Sequence, residues 1–202
     1  AIAGEQRVTA GKVLLAGRDV TRLDTARRAR QGLARTFQIT TLFAGLTVGE
    51  NLELAVRGRS RRKLSLLGAG RCTREESEKI EQGLAASGLA ARRATPVREL
   101  SHGEQRQLEL QLALACEPRL LLLDEPAAGL SPAERVTMAR LIRELPRALT
   151  LVLIEHDMDL ALGLVDRVTC LYNGQVLCDG DPESIRSDAR VQEVYLGKPR
   201  DA

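Results

Sequence analysis

Four leucines in succession, Leu120 to Leu123, run directly into two carboxylates, Asp124 and Glu125, and then into Pro126. A short, wholly apolar run suits a strand buried on both faces, the environment of a parallel sheet. Two adjacent carboxylates cannot lie in the middle of such a strand, because unpaired buried charge is very costly. At the strand's C-terminal end they emerge into the crevice where α/β folds bind their ligands. One carboxylate there can hold Mg²⁺, usually through water. The next can polarise an attacking water. The plainer alternative is a pair of acids that simply starts a loop.

The flanking sequence supports an α/β sheet. Ser131-Pro132-Ala133-Glu134 opens a helix, with Ser as N-cap and Pro at the first position, that runs to about Leu145. Thr150 to Ile154 predicts a second buried strand, and Leu160 to Leu164 a helix. Arg167 to Tyr172 and Gln175 to Cys178 flank Asn173-Gly174, a two-residue hairpin signal, and Asp181-Pro182 caps a final helix. Strand and helix in alternation imply a parallel sheet. Nearer the start, Ala1 to Gly4 reads as a helix end closed by Gly. Lys12 to Leu15 reads as a strand with Gly17-Arg18-Asp19 as its turn, Thr25 to Gln31 as a helix stopped by Gly32, and Leu33 to Gln38 as extended.

Between about Thr47 and Ala115 the pattern turns helical. Thr47 with Glu50 and Thr73 with Glu76 are spaced as capping boxes, in which hydroxyl and carboxylate each satisfy a free backbone N–H. Leu52, Leu54 and Val56 follow the first; Ile80, Leu84 and Ser87 follow the second, which ends at Gly88. Arg57 to Arg71, rich in Gly, Ser and Arg, reads as a loop. Ser101-His102-Gly103-Glu104 is spaced as another capping box, opening a helix with Leu108, Leu110, Leu112 and Leu114. Such a tip also offers N–H groups and a positive dipole end to a phosphate, and Gly103 would let it approach the backbone closely. Both readings can hold together.

Composition narrows the function classes. Aromatics make up only 2% of the 202 residues, so the core must be built from Leu, Val, Ile and Ala. Lys and Arg number 30 against 27 Asp and Glu, a balance too even to point to nucleic acid. No run approaches the roughly 18 apolar residues that span a bilayer, and the first residues carry no signal-peptide order. Membrane association is therefore expected through a partner. Cys72, Cys116, Cys170 and Cys178 have no metal-ligand spacing and read as reduced cytosolic thiols, the last two in strands.

Leu100 to Glu104 resembles the LSGGQ signature of ATP-binding-cassette ATPases, and Leu120 to Glu125 resembles their Walker B strand. Three further elements fall in the family's order: Gln38 after Arg35-Thr36-Phe37 is similar to the Q-loop glutamine, Ala128 to Ser131 to the D-loop, and His156 to the switch histidine. Taken alone, a histidine after a strand would be structural. Arg35 to Gln38, Leu42-Phe43, Thr47 to Leu52, Asp124 to Leu130, Glu155 to Met158 and Val194 to Gly197 resemble the ATP-binding subunits of bacterial importers for branched-chain and other hydrophobic amino acids. Related urea, amide and lipopolysaccharide-export ATPases share several of these runs.

The resemblance implies an α/β, P-loop NTPase-type core with a mostly parallel sheet and an inserted α-helical subdomain. Residues 1–45 would form the first part of the core, 46–115 the helical signature subdomain, and 116–202 the rest of the core. It implies ATP and Mg²⁺, with Asp124 and Gln38 at the metal, Glu125 as general base, and His156 at the γ-phosphate. Gln38 would also sense the attacking water, while Ser101, Gly103 and Glu104 would meet the ATP of a second ATPase subunit. The other partners implied are permease subunits that carry the chain to the cytoplasmic face of the bacterial inner membrane; the segment around Gln38 to Asn51 would receive the permease.

The sequence departs from the family pattern at His102 and Glu104, which replace the usual Gly and Gln of the signature. No G-x-x-x-x-G-K-[ST] occurs among the residues, so the chain is expected to start after the phosphate-binding loop, to lack the N-terminal strands, and to bind ATP weakly alone. The basic run Arg57, Arg59, Arg61, Arg62 and Lys63 reads as a solvated loop, or as one near anionic headgroups. Two other functions are open at this stage: a non-transport ATPase of the same superfamily, in nucleic-acid repair or translation, and a non-enzymatic dimerisation remnant.

Overall fold

The computed structural model describes residues 1–36, 42–59 and 72–196. They divide into a unit of residues 1–152 and a second of residues 153–202. Gln38 lies outside the described residues, as do Arg61, Arg62 and Lys63.

The first unit opens with a turn closed by Gly4, whose N–H donates to the Ala1 carbonyl (3.0 Å) and whose φ is +90°. A small hairpin follows, β1 (Leu14–Leu15) antiparallel to β2 (Arg18–Asp19). Its turn is Ala16-Gly17, both with positive φ, so Arg18 and Asp19 are strand residues rather than the expected turn. A two-residue connection with both central residues left-handed matches the twist of the strands it joins. Asp24 then caps α1 (Thr25–Arg30), accepting from the Arg27 N–H at 2.8 Å.

Sheet order is β3 (Leu33–Arg35), β4 (Leu120–Asp124), β5 (Thr150–Ile154), with β3 and β4 parallel and Leu33 opposite Leu120. Leu121, Leu122 and Leu123 are buried, as the run of leucines requires. Their N-terminal neighbour Leu120 and the acid Asp124 are partly exposed at the two ends. Strand β5 is not the buried strand expected: Thr150 and Ile154 are exposed and the residues between them only half-buried. Among the described residues it stands at an edge of the sheet, with a neighbour on one side.

Between β3 and β4 three helices pack together: α2 (Val48–Arg59), α3 (Arg74–Ser87) and α4 (His102–Ala115). Thr47, Thr73 and Ser101 cap them, each exchanging bonds with a glutamate three residues on. Their shared core is Val48, Leu52, Val56, Ile80, Leu84, Leu89, Val97, Leu100 and Leu108. Spacing of four along α2 places Val48, Leu52 and Val56 on one face; Leu54, named beside them in the sequence, turns out to be exposed. Arg57 also belongs to α2 rather than to a loop, 3.5 Å from Glu53. Helix α5 (Pro132–Arg143) starts on a Ser131–Glu134 capping box and buries Met138, Ala139, Leu141 and Ile142.

In the second unit α6 (Met158–Leu162) precedes a hairpin of β6 (Val168–Tyr172) and β7 (Gln175–Gly180), turning at Asn173-Gly174 with both φ positive. Then come α7 (Pro182–Ser187), capped by Asp181, and a short α8 (Ala189–Val191). Leu162, Cys170, Ile185 and Val191 form this unit's core. No described helix is long and apolar enough to cross a membrane.

Candidate functional site

Strand β4 delivers Asp124 and Glu125 to the place its sequence demands. Asp124 is the last strand residue, with its side chain 19% exposed. It does not stand alone: Arg35, the last residue of β3, donates from Nη2 to Asp124 Oδ2 at 3.0 Å. The other arm of the same guanidinium, Nη1, donates to Glu5 Oε2. The Glu5 carboxylate raises Arg35 above its ordinary pKa; partial burial opposes that and Asp124 adds to it. Parallel pairing explains the meeting, since Arg35 lies opposite Leu122, two residues before the acid.

Glu125 has φ +46°, in the left-handed region that non-glycine residues seldom enter. Strain of this kind costs of order 1–3 kcal/mol and persists only where the surrounding structure over-determines the backbone. The chain then makes a tight turn, with the Ala128 N–H donating to the Glu125 carbonyl (3.1 Å) and Gly129 at φ +74°. A methyl group at Gly129 would lie 3.2 Å from the His102 ring. The turn after the acids is thereby set against the tip of α4.

At that tip Ser101 Oγ accepts from the Glu104 N–H (3.1 Å), while the Glu104 carboxylate accepts from the Ser101 N–H (2.8 Å). Glu104 also meets Arg92 at 3.0 Å. The Gly103 N–H is already engaged, donating to Glu134 Oε1 at 3.2 Å. Hydrogen bonds from Ser131 in the α5 capping box hold the Glu134 carboxyl below its ordinary pKa; desolvation opposes them, and the Gly103 N–H and His102 add to the lowering.

His156 belongs to the second unit. It is 73% exposed, with Nδ1 4.0 Å from the carboxylate of Glu155, which is buried. The next residue, Asp157, caps α6 through the Leu160 N–H at 3.1 Å. Of the residues singled out in the sequence, Asp124, Glu125, Ser101, Gly103 and Glu104 thus lie in the first unit, with His156 in the second. Arg35 and Glu134 carry no site signal of their own in the sequence. Arg35 is visible there only as the start of the run leading to Gln38. Glu134 is visible only as the glutamate that opens a helix.

The donor chemistry at β4 fits a hard divalent cation. Mg²⁺ is typically held by one or two carboxylates and completes its shell with water and phosphate oxygens. Asp124 supplies one such carboxylate, and it already attracts a cationic group, Arg35. Among the described residues there is no cluster of three or more His, Cys, Asp or Glu that could hold a metal without such help.

This fold is that of a P-loop nucleoside triphosphatase. The solved ADP conformation of MJ1267, an ATP-binding cassette of an ABC transporter, superposes with a TM-score of 0.80 at 27% identity, covering 98% of this chain and 81% of that one. The ABC transporter family model matches residues 1–128, and that of the branched-chain amino acid ATP-binding cassette transporter matches residues 175–201. LivG of Escherichia coli K12, a high-affinity branched-chain amino acid transport ATP-binding protein, is 36% identical over 204 residues, covering 98% of this chain and 80% of LivG. BraF of Pseudomonas aeruginosa, which carries the same description, is 35% identical over 205 residues, again with 98% and 80% coverage. The chain belongs to the ATP-binding-cassette transporter family, as an ATPase of the ABC type.

Proposed function

We propose that this chain is part of the ATP-hydrolysing subunit of an importer for branched-chain or other hydrophobic amino acids, working at the cytoplasmic face of a bacterial inner membrane. One observation carries the reading: similarity to transport ATP-binding proteins named for branched-chain amino acids runs over 98% of the chain, through the strand that ends in Asp124 and the Glu125 that follows it. Residues 1–45 and 116–202 would form the ATPase core, and 46–115 the helical subdomain between them.

Asp124 would hold Mg²⁺ through water, with Gln38 as a further contact; the ion would neutralise charge on the β- and γ-phosphates. Glu125 takes the proton of the attacking water, its backbone held at φ +46° so that the carboxylate leaves the strand end at a fixed angle. His156, which is exposed, contacts the γ-phosphate, and Gln38 orients the water. Ser101, Gly103 and Glu104 present the tip of α4 to the ATP of a second ATPase subunit, where backbone N–H groups and the helix dipole favour negative charge. Permease subunits dock on the segment from Gln38 to Asn51 and hold the protein at the membrane.

The test is reconstitution with the permease in proteoliposomes. ATP hydrolysis should rise when a receptor loaded with leucine, isoleucine or valine is added. Hydrolysis indifferent to every hydrophobic amino acid would remove the cargo assignment. Recovery of nucleic acid in place of a permease would remove the transport reading.

A further inference from the structure

Gly103 is the second residue of α4, so its N–H is one of those left without a partner inside the helix. In this structure that N–H is taken by Glu134 Oε1 at 3.2 Å. The fit is close: a Cβ at position 103 would come within 2.5 Å of the Glu134 Cδ. Glu134 is held in place from its own side, because its Oε2 accepts from both the Ser131 N–H (2.9 Å) and the Ser131 hydroxyl (2.7 Å). One carboxylate therefore closes two helix starts, its own in α5 and that of α4. Ser101 Oγ is likewise occupied, by the Glu104 N–H at 3.1 Å.

We propose that Glu134 is an internal stand-in for the γ-phosphate: its carboxylate seals the tip of α4 and must leave Gly103 before that tip can receive ATP. The inference rests on the reading of Ser101 and Gly103 as phosphate contacts. A single N–H cannot serve a carboxylate and a phosphate oxygen at full strength, and the two anions repel at this distance. Arriving phosphate therefore releases Glu134 from α4 while Ser131 retains it on α5. Since α5 follows directly from the Gly129 turn that rests on His102, the exchange reports nucleotide at α4 to the turn that carries Glu125. No covalent step is involved; one hydrogen-bond acceptor replaces another.

Glu134→Gln tests this without dismantling the helix start, because Gln serves at this position of a capping box as Glu does. In the assembled transporter, half-saturating ATP for hydrolysis should fall about two- to fivefold, the effect of one charge removed from a helix N-terminus. Glu134→Asp, which keeps the charge on α5 but draws it back by one methylene, should also lower half-saturation. Met138→Ala, which loosens the buried face of α5 without altering charge, should lower Tm and leave half-saturation where it was. Half-saturation at or above the wild-type value in both Glu134 variants overturns the proposal. A wild-type assembly that hydrolyses no ATP overturns the phosphate reading beneath it, a result distinct from normal hydrolysis with unchanged half-saturation.

Discussion

The guanidinium of Arg35 lies 3.0 Å from the carboxylate of Asp124, joining the C-terminal ends of two adjacent parallel strands. Its other arm reaches Glu5, so the cation is shared between the acid proposed to hold Mg²⁺ and one near the start of the chain. The pair is partly sheltered, with side chains 23% and 19% exposed, and so is screened less than a surface ion pair. Arg35→Gln should cost about 1–2 kcal/mol in urea denaturation. Glu5→Gln should cost less, because Glu5 is 45% exposed. Equal losses in the two variants would show that Asp124 contributes nothing to holding Arg35.

Glu125 carries the proposed general base. Glu125→Gln keeps size and shape but cannot accept the proton. Turnover of the assembled ATPase should drop about a hundredfold or more, the usual weight of a general base. ATP binding, followed with a fluorescent nucleotide in the same preparation, should persist. Retained turnover would reject the assignment.

How much of this could be read from residues alone differs by place. Strand β4 was legible because four leucines ending in two acids fit a buried strand with an open end and little else. The capping boxes at Thr47, Thr73 and Ser101 were legible because a hydroxyl and a carboxylate three residues apart satisfy each other locally. Hairpin β6–β7 announced itself through Asn173-Gly174. Leu54 misled because Leu52, Leu54 and Val56 imitate a period of two, whereas the helix is set by Val48, Leu52 and Val56. The Arg35–Asp124 contact was hidden, since the residues are 89 apart in sequence and meet only through strand register. The reach of Glu134 to Gly103, 31 positions away, was hidden for the same reason, behind a local role that already accounted for it.

Gly103→Ala should force Glu134 away from α4, because the new methyl and the Glu134 carboxylate cannot occupy the same space. Overpacking of this kind costs about 1–3 kcal/mol. The double variant Gly103→Ala with Glu134→Ala removes the obstacle along with the collision. The two changes should therefore be non-additive in thermal or urea unfolding, with a coupling of about 0.5 kcal/mol or more. Strict additivity would mean that the two residues do not touch in solution.

The cysteines should separate by reactivity. Burial, with Cys178 as hydrogen-bond partner, pushes the Cys170 thiol up to about 11. Burial and the Glu53 carboxylate do the same for Cys72, also to about 11. Only the thiolate attacks, so at pH 8 both should react roughly a hundredfold more slowly than an ordinary thiol. Cys116, which is exposed, should be alkylated first in a timed mass-spectrometric experiment. Early labelling of Cys170 in folded protein would contradict its placement on the buried side of β6.

Arg28 gives the firmest stability prediction. Only 1% of this residue is exposed, yet the hydrogen bonds seen at its guanidinium all go to backbone carbonyls: Leu23 from Nε, Ala1 and Ile2 from Nη1, and Thr21 from Nη2, all between 2.6 and 2.9 Å. It ties the first residues of the chain to α1 and to the segment that follows β2. Arg28→Ala would leave a cavity and several buried carbonyls without donors, at a cost of about 3 kcal/mol or more. Arg28→Lys restores charge but not the planar fork, and an ammonium has three donors to distribute, so it should recover less than half of that loss. Hydrogen exchange at Gly4 and Val20 should quicken in both variants, since their N–H bonds belong to the segments Arg28 holds together. Unchanged exchange at both amides, or a Lys variant as stable as wild type, would show that the chain's first residues are held by something other than this guanidinium.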